Sequence, residues 1–242
     1  MLSVKEKKEN VMKAKWNWFE IGLLSVSVVA IICCFIFSSD KDYLSLASSI
    51  LGVVTVVFTS KGLLLAPILS VVYSIVYTII SVGQRYYGEA IIYMLIMIPM
   101  QVITIVGWFR NKKTDSDVVE VGKVSKKEYL ILSGVTVVMT FAFYFLLKVL
   151  NTAQLVVSTI SLITSALATY LVFRRSSNYA LFYILNDIIL IVLWTIALVA
   201  QGTSLLPVVV SFYVFFINDV YGFIRWKRQE KLQGKEVGAE TN

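Results

Sequence analysis

The chain has 242 residues, 58% of them hydrophobic and 15% charged, and its mean hydropathy is +0.79. A water-soluble domain of this length cannot hide that much apolar surface, so the sequence is that of a multi-spanning membrane protein. The net charge of +7 raises nucleic acid as a partner, and the distribution of that charge along the chain argues against it.

Met1 to Asn17 is polar and lysine-rich. The first apolar run covers about Trp18 to Phe37 and is broken by Ser38-Ser39-Asp40-Lys41-Asp42. It is long for a signal-peptide core and lacks a small-x-small site at its end, so it reads as a retained span. The second run covers about Leu44 to Thr59. The third covers about Leu63 to Val82, with Pro67 in its first turn, where proline is tolerated. Gln84-Arg85-Tyr86-Tyr87-Gly88-Glu89 reads as a loop, either gating the outer mouth through its tyrosines or simply interfacial. The fourth run, about Ala90 to Trp108, contains Pro99 and should kink there. Arg110 to Glu128 is the one long polar loop. The fifth to eighth runs cover about Tyr129 to Leu150, Gln154 to Phe173, Tyr179 to Ala200 and Leu205 to Ile224, and a basic tail follows from Arg225.

Eight spans put both chain ends on one side. The segments on that side carry 19 of the 22 lysines and arginines, leaving Lys41, Arg85 and Lys148 opposite. The positive-inside rule then places both termini in the cytoplasm. The basic balance is therefore topology, with attraction to anionic lipid in addition. No nucleic-acid partner is expected. Cys33 and Cys34 sit side by side in an apolar run and serve as small hydrophobes. The chain has no histidine, which removes the commonest proton relay, the commonest metal ligand and most triad chemistry. No enzyme, metal or cofactor is expected.

The second to fourth spans resemble the sixth to eighth. Tyr77-Thr78-Ile79 aligns with Trp194-Thr195-Ile196, Gln84 with Gln201, and Gly107-Trp108-Phe109-Arg110 with Gly222-Phe223-Ile224-Arg225. The expected fold is all-α and polytopic, with eight transmembrane helices as 1+3+1+3. In it two parallel three-helix bundles are joined by a linker helix. The expected divisions are 1–43 for the N-terminal segment and first span, 44–110 for the first bundle, 111–150 for the loop and linker helix, 151–226 for the second bundle, and 227–242 for the tail. Parallel repeats place a binding site between the halves, near mid-membrane.

Asn186-Asp187 and Asn218-Asp219 lie inside the last two spans. A carboxylate there costs about 2.5–3.5 kcal/mol on insertion scales and is kept where it faces protein or water. At 1.5 Å per residue, both pairs and Gln101 lie roughly 8–13 Å from the inner membrane boundary, in one layer. Asp187, Leu190 and Trp194 share a helix face, as do Asn218 and Tyr221, and as do Tyr73 and Tyr77. One reading is a ligand pocket, with amides and carboxylates for polar groups and rings for a planar one. The other is polar glue between helices. Trp194 lies too deep for an interfacial belt, whereas Trp16, Trp18, Trp108 and Trp226 sit at span ends, where anchors are expected.

Tyr86-Tyr87-Gly88-Glu89 leading through Pro99 to Gly107-Trp108, Asn178 through Asn186-Asp187 to Trp194, and Phe216-Ile217-Asn218-Asp219-Val220-Tyr221-Gly222-Phe223 before Arg225-Trp226 together resemble the PnuC-type vitamin transporters. That family is best known for nicotinamide riboside (vitamin B3) and is related in fold to the SWEET sugar carriers. The resemblance covers the chain from the third span onward. It implies a bacterial cell-membrane uniporter working by facilitated diffusion and alternating access, with cytosolic phosphorylation trapping the substrate. It also implies carboxamide and ribose contacts at Gln101, Asn186, Asn218 and Tyr221, and ring stacking on Trp194. Asp187 or Asp219 would balance the cationic ring. Family members often have a second tryptophan one turn away on the penultimate helix; here those positions are Ile191 and Ala197. A thinner aromatic cage leaves thiamine, riboflavin or a deoxynucleoside as alternative substrates. A membrane interaction protein whose Asn-Asp pairs only join helices is the alternative of another class. A homo-oligomer is compatible with the sequence, which sets no stoichiometry.

Overall fold

The computed structural model describes residues 16–38, 41–113 and 117–240, and the side chains of all of these except 201 and 234–240. The lysine-rich stretch 1–15, the break at Ser39-Asp40, the side chain of Gln201 and the end of the tail lie outside that description.

The described residues form eight helices long and apolar enough to span a bilayer. These are α1 (Trp18–Phe37), α2 (Tyr43–Lys61), α3 (Ala66–Gly83), α4 (Tyr87–Arg110) and α5 (Lys126–Val149). Three more follow: α6 (Leu155–Phe173), α7 (Tyr179–Gln201) and α8 (Leu206–Glu240). Helices suit hydrocarbon because each satisfies its own backbone polar groups.

Six of them close a ring. Each neighbouring pair is in contact in the order α2, α3, α4, α6, α7, α8 and back to α2. Helix α1 packs outside, on α2 and α8, and α5 packs outside, on α6. The ring is fastened by two tryptophans expected to be interfacial anchors. Trp108 and Trp226 are instead fully buried. The indole of Trp108 donates to Val172 O at the end of α6, 3.1 Å away, and that of Trp226 donates to Thr59 O at the end of α2, also 3.1 Å away. The last carbonyls of a helix have no partner within it. Here the following turns supply Gly62 N to Thr59 O and Arg175 N to Val172 O, the indoles add a second donor to each, and the two rings pack 6.0 Å apart. Trp18, by contrast, is 88% exposed, as an anchor would be.

Helix α4 carries the expected irregularity. Proline lacks an N–H and crowds the carbonyl four residues back. The helix absorbs Pro99 by widening to a π-helical stretch at Ile92–Met97, a distortion frequent at functional sites. The boundary of α4 differs from the sequence reading. The helix begins at Tyr87, so Glu89 lies in its first turn, fully buried, rather than in a loop. Helix α8 likewise runs through Arg225 to Glu240, well past the expected end of the span.

The α4–α5 loop folds under the ring, on the face where α1 begins. Val118 and Val119 are fully buried there. Leu64 N donates to Asp117 O and Val119 N to Gly62 O. Gly62 ends α2 in the left-handed region, at φ 71°, where a residue without Cβ is unstrained.

One carboxylate fastens α1 to the ring. Glu20 forms a capping box with Asn17 and is almost wholly buried. It also accepts from Lys61 Nζ of α2 at 2.5 Å, from Tyr221 Oη of α8 at 2.8 Å, and from Arg225 Nη1 of α8. Removing one partner of a buried ion pair strands the others, at about 3–5 kcal/mol. Glu20→Ala should therefore lower the thermal unfolding temperature in detergent sharply. The triple replacement Glu20→Leu, Lys61→Met, Arg225→Met should cost less than Glu20→Ala alone. A larger loss in the triple variant contradicts this account.

Candidate functional site

The ring encloses a cavity of about 60 Å³, room for a few water molecules. All six ring helices line it. Helix α2 gives Gly52 and Thr55, α3 gives Ser70 and Tyr73, α4 gives Tyr93, Met97 and Gln101, α6 gives Val172, α7 gives Tyr183, Asn186 and Asp187, and α8 gives Phe212, Phe215 and Asp219. Gly52 lets the wall close tightly: a Cβ there would lie 2.5 Å from Phe215 Cζ and 2.8 Å from Tyr73 Cε2.

The polar groups fall into two sets. Gln101, Asn186, Asp187 and Asp219 line the cavity and are each at most 4% exposed. Gln101 Oε1 and Asp187 Oδ2 are buried without a partner among the described residues. The carboxyls of Asp187 and Asp219 meet across α7 and α8. Asn186 Oδ1 accepts from Ser161 Oγ at 3.1 Å and Thr164 Oγ1 at 2.8 Å, both on α6. No lysine or arginine is among the described lining residues. The chamber thus holds two carboxyls and two amides with spare hydrogen-bonding capacity.

The second set stands apart from the cavity. Asn218 is fully buried, and its amide donates to Val214 O of its own helix at 2.8 Å. Tyr221 belongs to the Glu20 cluster. Trp194 and Tyr77 lie one layer behind the wall. The indole of Trp194 donates to Tyr77 Oη at 2.7 Å. Trp194 also stacks with Phe212, centroids 6.4 Å apart and planes 21° from parallel, and it meets the edge of Tyr86 at 5.3 Å. The helix register that puts Trp194 on the face of Asp187 is correct, but two turns of rise carry it past the cavity.

Sequence reasoning missed the rest of the aromatic wall. Tyr93 lies 4.4 Å from Tyr77 and 5.9 Å from Tyr73, and Phe215 meets Tyr73 edge-on at 6.1 Å. These rings come from helices other than that of Trp194. The sequence offers only Pro99, six residues on, as a sign that the helix around Tyr93 is irregular. The Tyr86 hydroxyl donates to Leu193 O at 2.9 Å, which ties the α3–α4 turn to α7.

Eight apolar helices, six of them ringed around a chamber of amides, carboxyls and rings, are the build of a membrane carrier for a small, planar, polar molecule. Comparison with known proteins agrees. The family described as nicotinamide mononucleotide transporter matches residues 42–228, and the chain belongs to that family. It is a transporter rather than an enzyme. Helix α1 precedes the matched segment.

The nicotinamide riboside transporter PnuC of Neisseria mucosa is 24% identical over 222 residues, covering 89% of this chain and 83% of that protein. The protein of the same name from Haemophilus influenzae is 24% identical over 218 residues, covering 89% and 92%. A crystal structure of the vitamin B3 transporter PnuC superposes with a TM-score of 0.80 at 23% identity, covering 95% of this chain and 99% of that one. The fold is shared nearly end to end.

The Tyr77–Trp194 hydrogen bond is the testable core of the wall. Tyr77→Phe leaves a buried indole N–H without its acceptor, at about 1–3 kcal/mol. The variant should fold, with an unfolding temperature in detergent lower by several degrees. An unchanged temperature means the indole is satisfied elsewhere.

Proposed function

We propose that this chain carries nicotinamide riboside across the membrane. The observation that supports this most is the composition of the chamber: two facing carboxyls with no basic residue among the described lining, two amides with free capacity, and a wall of aromatic rings. Nicotinamide riboside is a planar cation bearing a carboxamide and ribose hydroxyls. Asp187 and Asp219 suit the positive ring, Gln101 and Asn186 suit the carboxamide, and Tyr73 and Tyr93 offer ring faces. The relatives from Neisseria mucosa and Haemophilus influenzae carry this activity in their names.

Asn218 and Tyr221, away from the chamber, serve the packing of α8 in this proposal. Trp194 and Tyr77 back the wall and come within reach of the ligand when Phe212 withdraws. Some withdrawal is needed, because the cavity is far below the ~300 Å³ of an ordinary small-molecule site. The transport reading follows: the chamber opens to one side, fills, closes, and opens to the other. The six-helix ring supports a division into two parallel three-helix bundles, because Trp108 and Trp226 make the same contact in exchange. The distribution of lysine and arginine supports a cytoplasmic location for both ends of the chain. No ion-coupling step is invoked. Phosphorylation of the arriving substrate in the cytosol supplies the direction.

Counterflow of labelled nicotinamide riboside into proteoliposomes tests this. The wild type should show saturable exchange that excess unlabelled substrate abolishes. Asn186→Ala should raise KM about tenfold, equivalent to about 1.4 kcal/mol, and Asp187→Asn with Asp219→Asn should weaken the cation more than a neutral dihydro analogue. Absence of saturable exchange by folded wild-type protein rejects the substrate. Unchanged kinetics in both variants rejects the site.

A further inference from the structure

Glu89 has no exposed surface. It sits in the first turn of α4, beside a tight packing of Gly88 on α6. A Cβ on Gly88 would lie 3.1 Å from Ser158 Cβ and 3.4 Å from Ser158 O. Ser161 is one turn deeper on the same face of α6 as Ser158. The missing side chain at Gly88 therefore lets the next residue reach across to α6.

Two branches leave the Glu89 carboxyl. Ser161 Oγ lies 2.6 Å from Oε1 and 3.1 Å from Asn186 Oδ1; its single proton serves one of them, so the hydroxyl links the two when a protonated Glu89 carboxyl donates to Oγ and Oγ donates to Oδ1. Tyr77 Oη lies 3.5 Å from Oε2 and accepts the Trp194 indole N–H at 2.7 Å. The first branch fixes Ser161 against Asn186, with Thr164 as a second hydroxyl on the same oxygen. With its carbonyl oxygen held by two hydroxyls on α6, Asn186 has its Nδ2 left for the cavity. The second branch fixes Tyr77, and through it the ring of Trp194. Glu89 itself does not line the cavity.

We infer that Glu89 is a positioning residue: through Ser161 it sets the amide of Asn186, and through Tyr77 it sets the indole of Trp194, so one buried carboxyl holds both the amide-reading and the ring-backing parts of the substrate site. This inference rests on the reading of the chamber as the nicotinamide riboside site. It requires at this position a group that both donates and accepts, since a protonated carboxyl or an amide can donate to Ser161 Oγ and accept from Tyr77 Oη. It predicts different outcomes from the loss of each branch. Without the Ser161 branch, only recognition of the carboxamide suffers. Without Glu89, both parts suffer.

The experiment is counterflow in proteoliposomes with two substrates, nicotinamide riboside and the pyridinium riboside that lacks the carboxamide. The full-length chain is used, and each variant is first checked for a monodisperse elution profile. Wild-type protein should favour nicotinamide riboside. Glu89→Ala should raise its KM at least tenfold while the maximal rate stays within about threefold. Glu89→Gln should restore KM to within about threefold of wild type. Ser161→Ala should raise KM for nicotinamide riboside and leave that for the pyridinium riboside unchanged, which erases the preference. If Glu89→Ala fails to fold, Glu89→Gln and Ser161→Ala carry the test. The inference is overturned if Glu89→Ala is kinetically silent, if Glu89→Gln is damaged as badly as Glu89→Ala, or if Ser161→Ala affects both substrates alike. Failure of the wild type to exchange nicotinamide riboside is a separate result, and it rejects the substrate assignment instead.

Discussion

A polar atom inside a hydrocarbon slab must be paired by the protein, because no water is there to do it. Most of this structure follows from that constraint. Serines and threonines of the spans bond back to carbonyls of their own helices: Ser74 to Ser70 O, Thr104 to Met100 O, and Thr169 to Ser165 O. The indoles of Trp108 and Trp226 take up carbonyls at helix ends, and in doing so close the ring. Against that background the unpaired Gln101 Oε1 and Asp187 Oδ2 stand out, since both belong to residues facing the central chamber. Other buried atoms without a partner, such as Ser165 Oγ and Asn218 Oδ1, lie away from the chamber, so it is their position on its wall that marks Gln101 and Asp187.

The same constraint explains the face on which α1 begins. Lys61 is buried at the end of α2 and Arg225 within α8, and two cations there need a counter-charge. Glu20 supplies it from a helix outside the ring and outside the family match. The contact links the first span to the last across almost the whole sequence. It also shows why Tyr221, which shares a helix face with Asn218, turns away from the ligand chamber: its hydroxyl is committed to Glu20.

The sequence carries the eight spans plainly, because runs of apolar residues broken by charge have few other solutions. It also carries Gln101, Asn186, Asp187 and Asp219, because polar groups at one depth in hydrocarbon need a common reason. Other features depend on helix rotation and tilt, which periodicity does not fix. Trp108 and Trp226 look like belt residues by position alone, and only the ring closure turns them inward. Glu89 looks like a loop residue beside two tyrosines, and only the early start of α4 buries it. Tyr93 has no polar partner in sequence to mark it. Trp194 has the right face but the wrong height, a distinction of two helical turns that demands the positions of α3 and α8 as well.

The hydrogen bond between Tyr77 and Trp194 has one further meaning. The two residues hold matching positions in the aligned triplets, yet they touch each other. In a duplicated architecture a residue meets its own counterpart only beside the axis relating the copies. Had both been tyrosine or both tryptophan, this contact would look the same from either side. One donor-only ring facing one hydroxyl-bearing ring gives the contact a direction, with the hydrogen bond always running from the indole N–H of α7 to the phenol oxygen of α3.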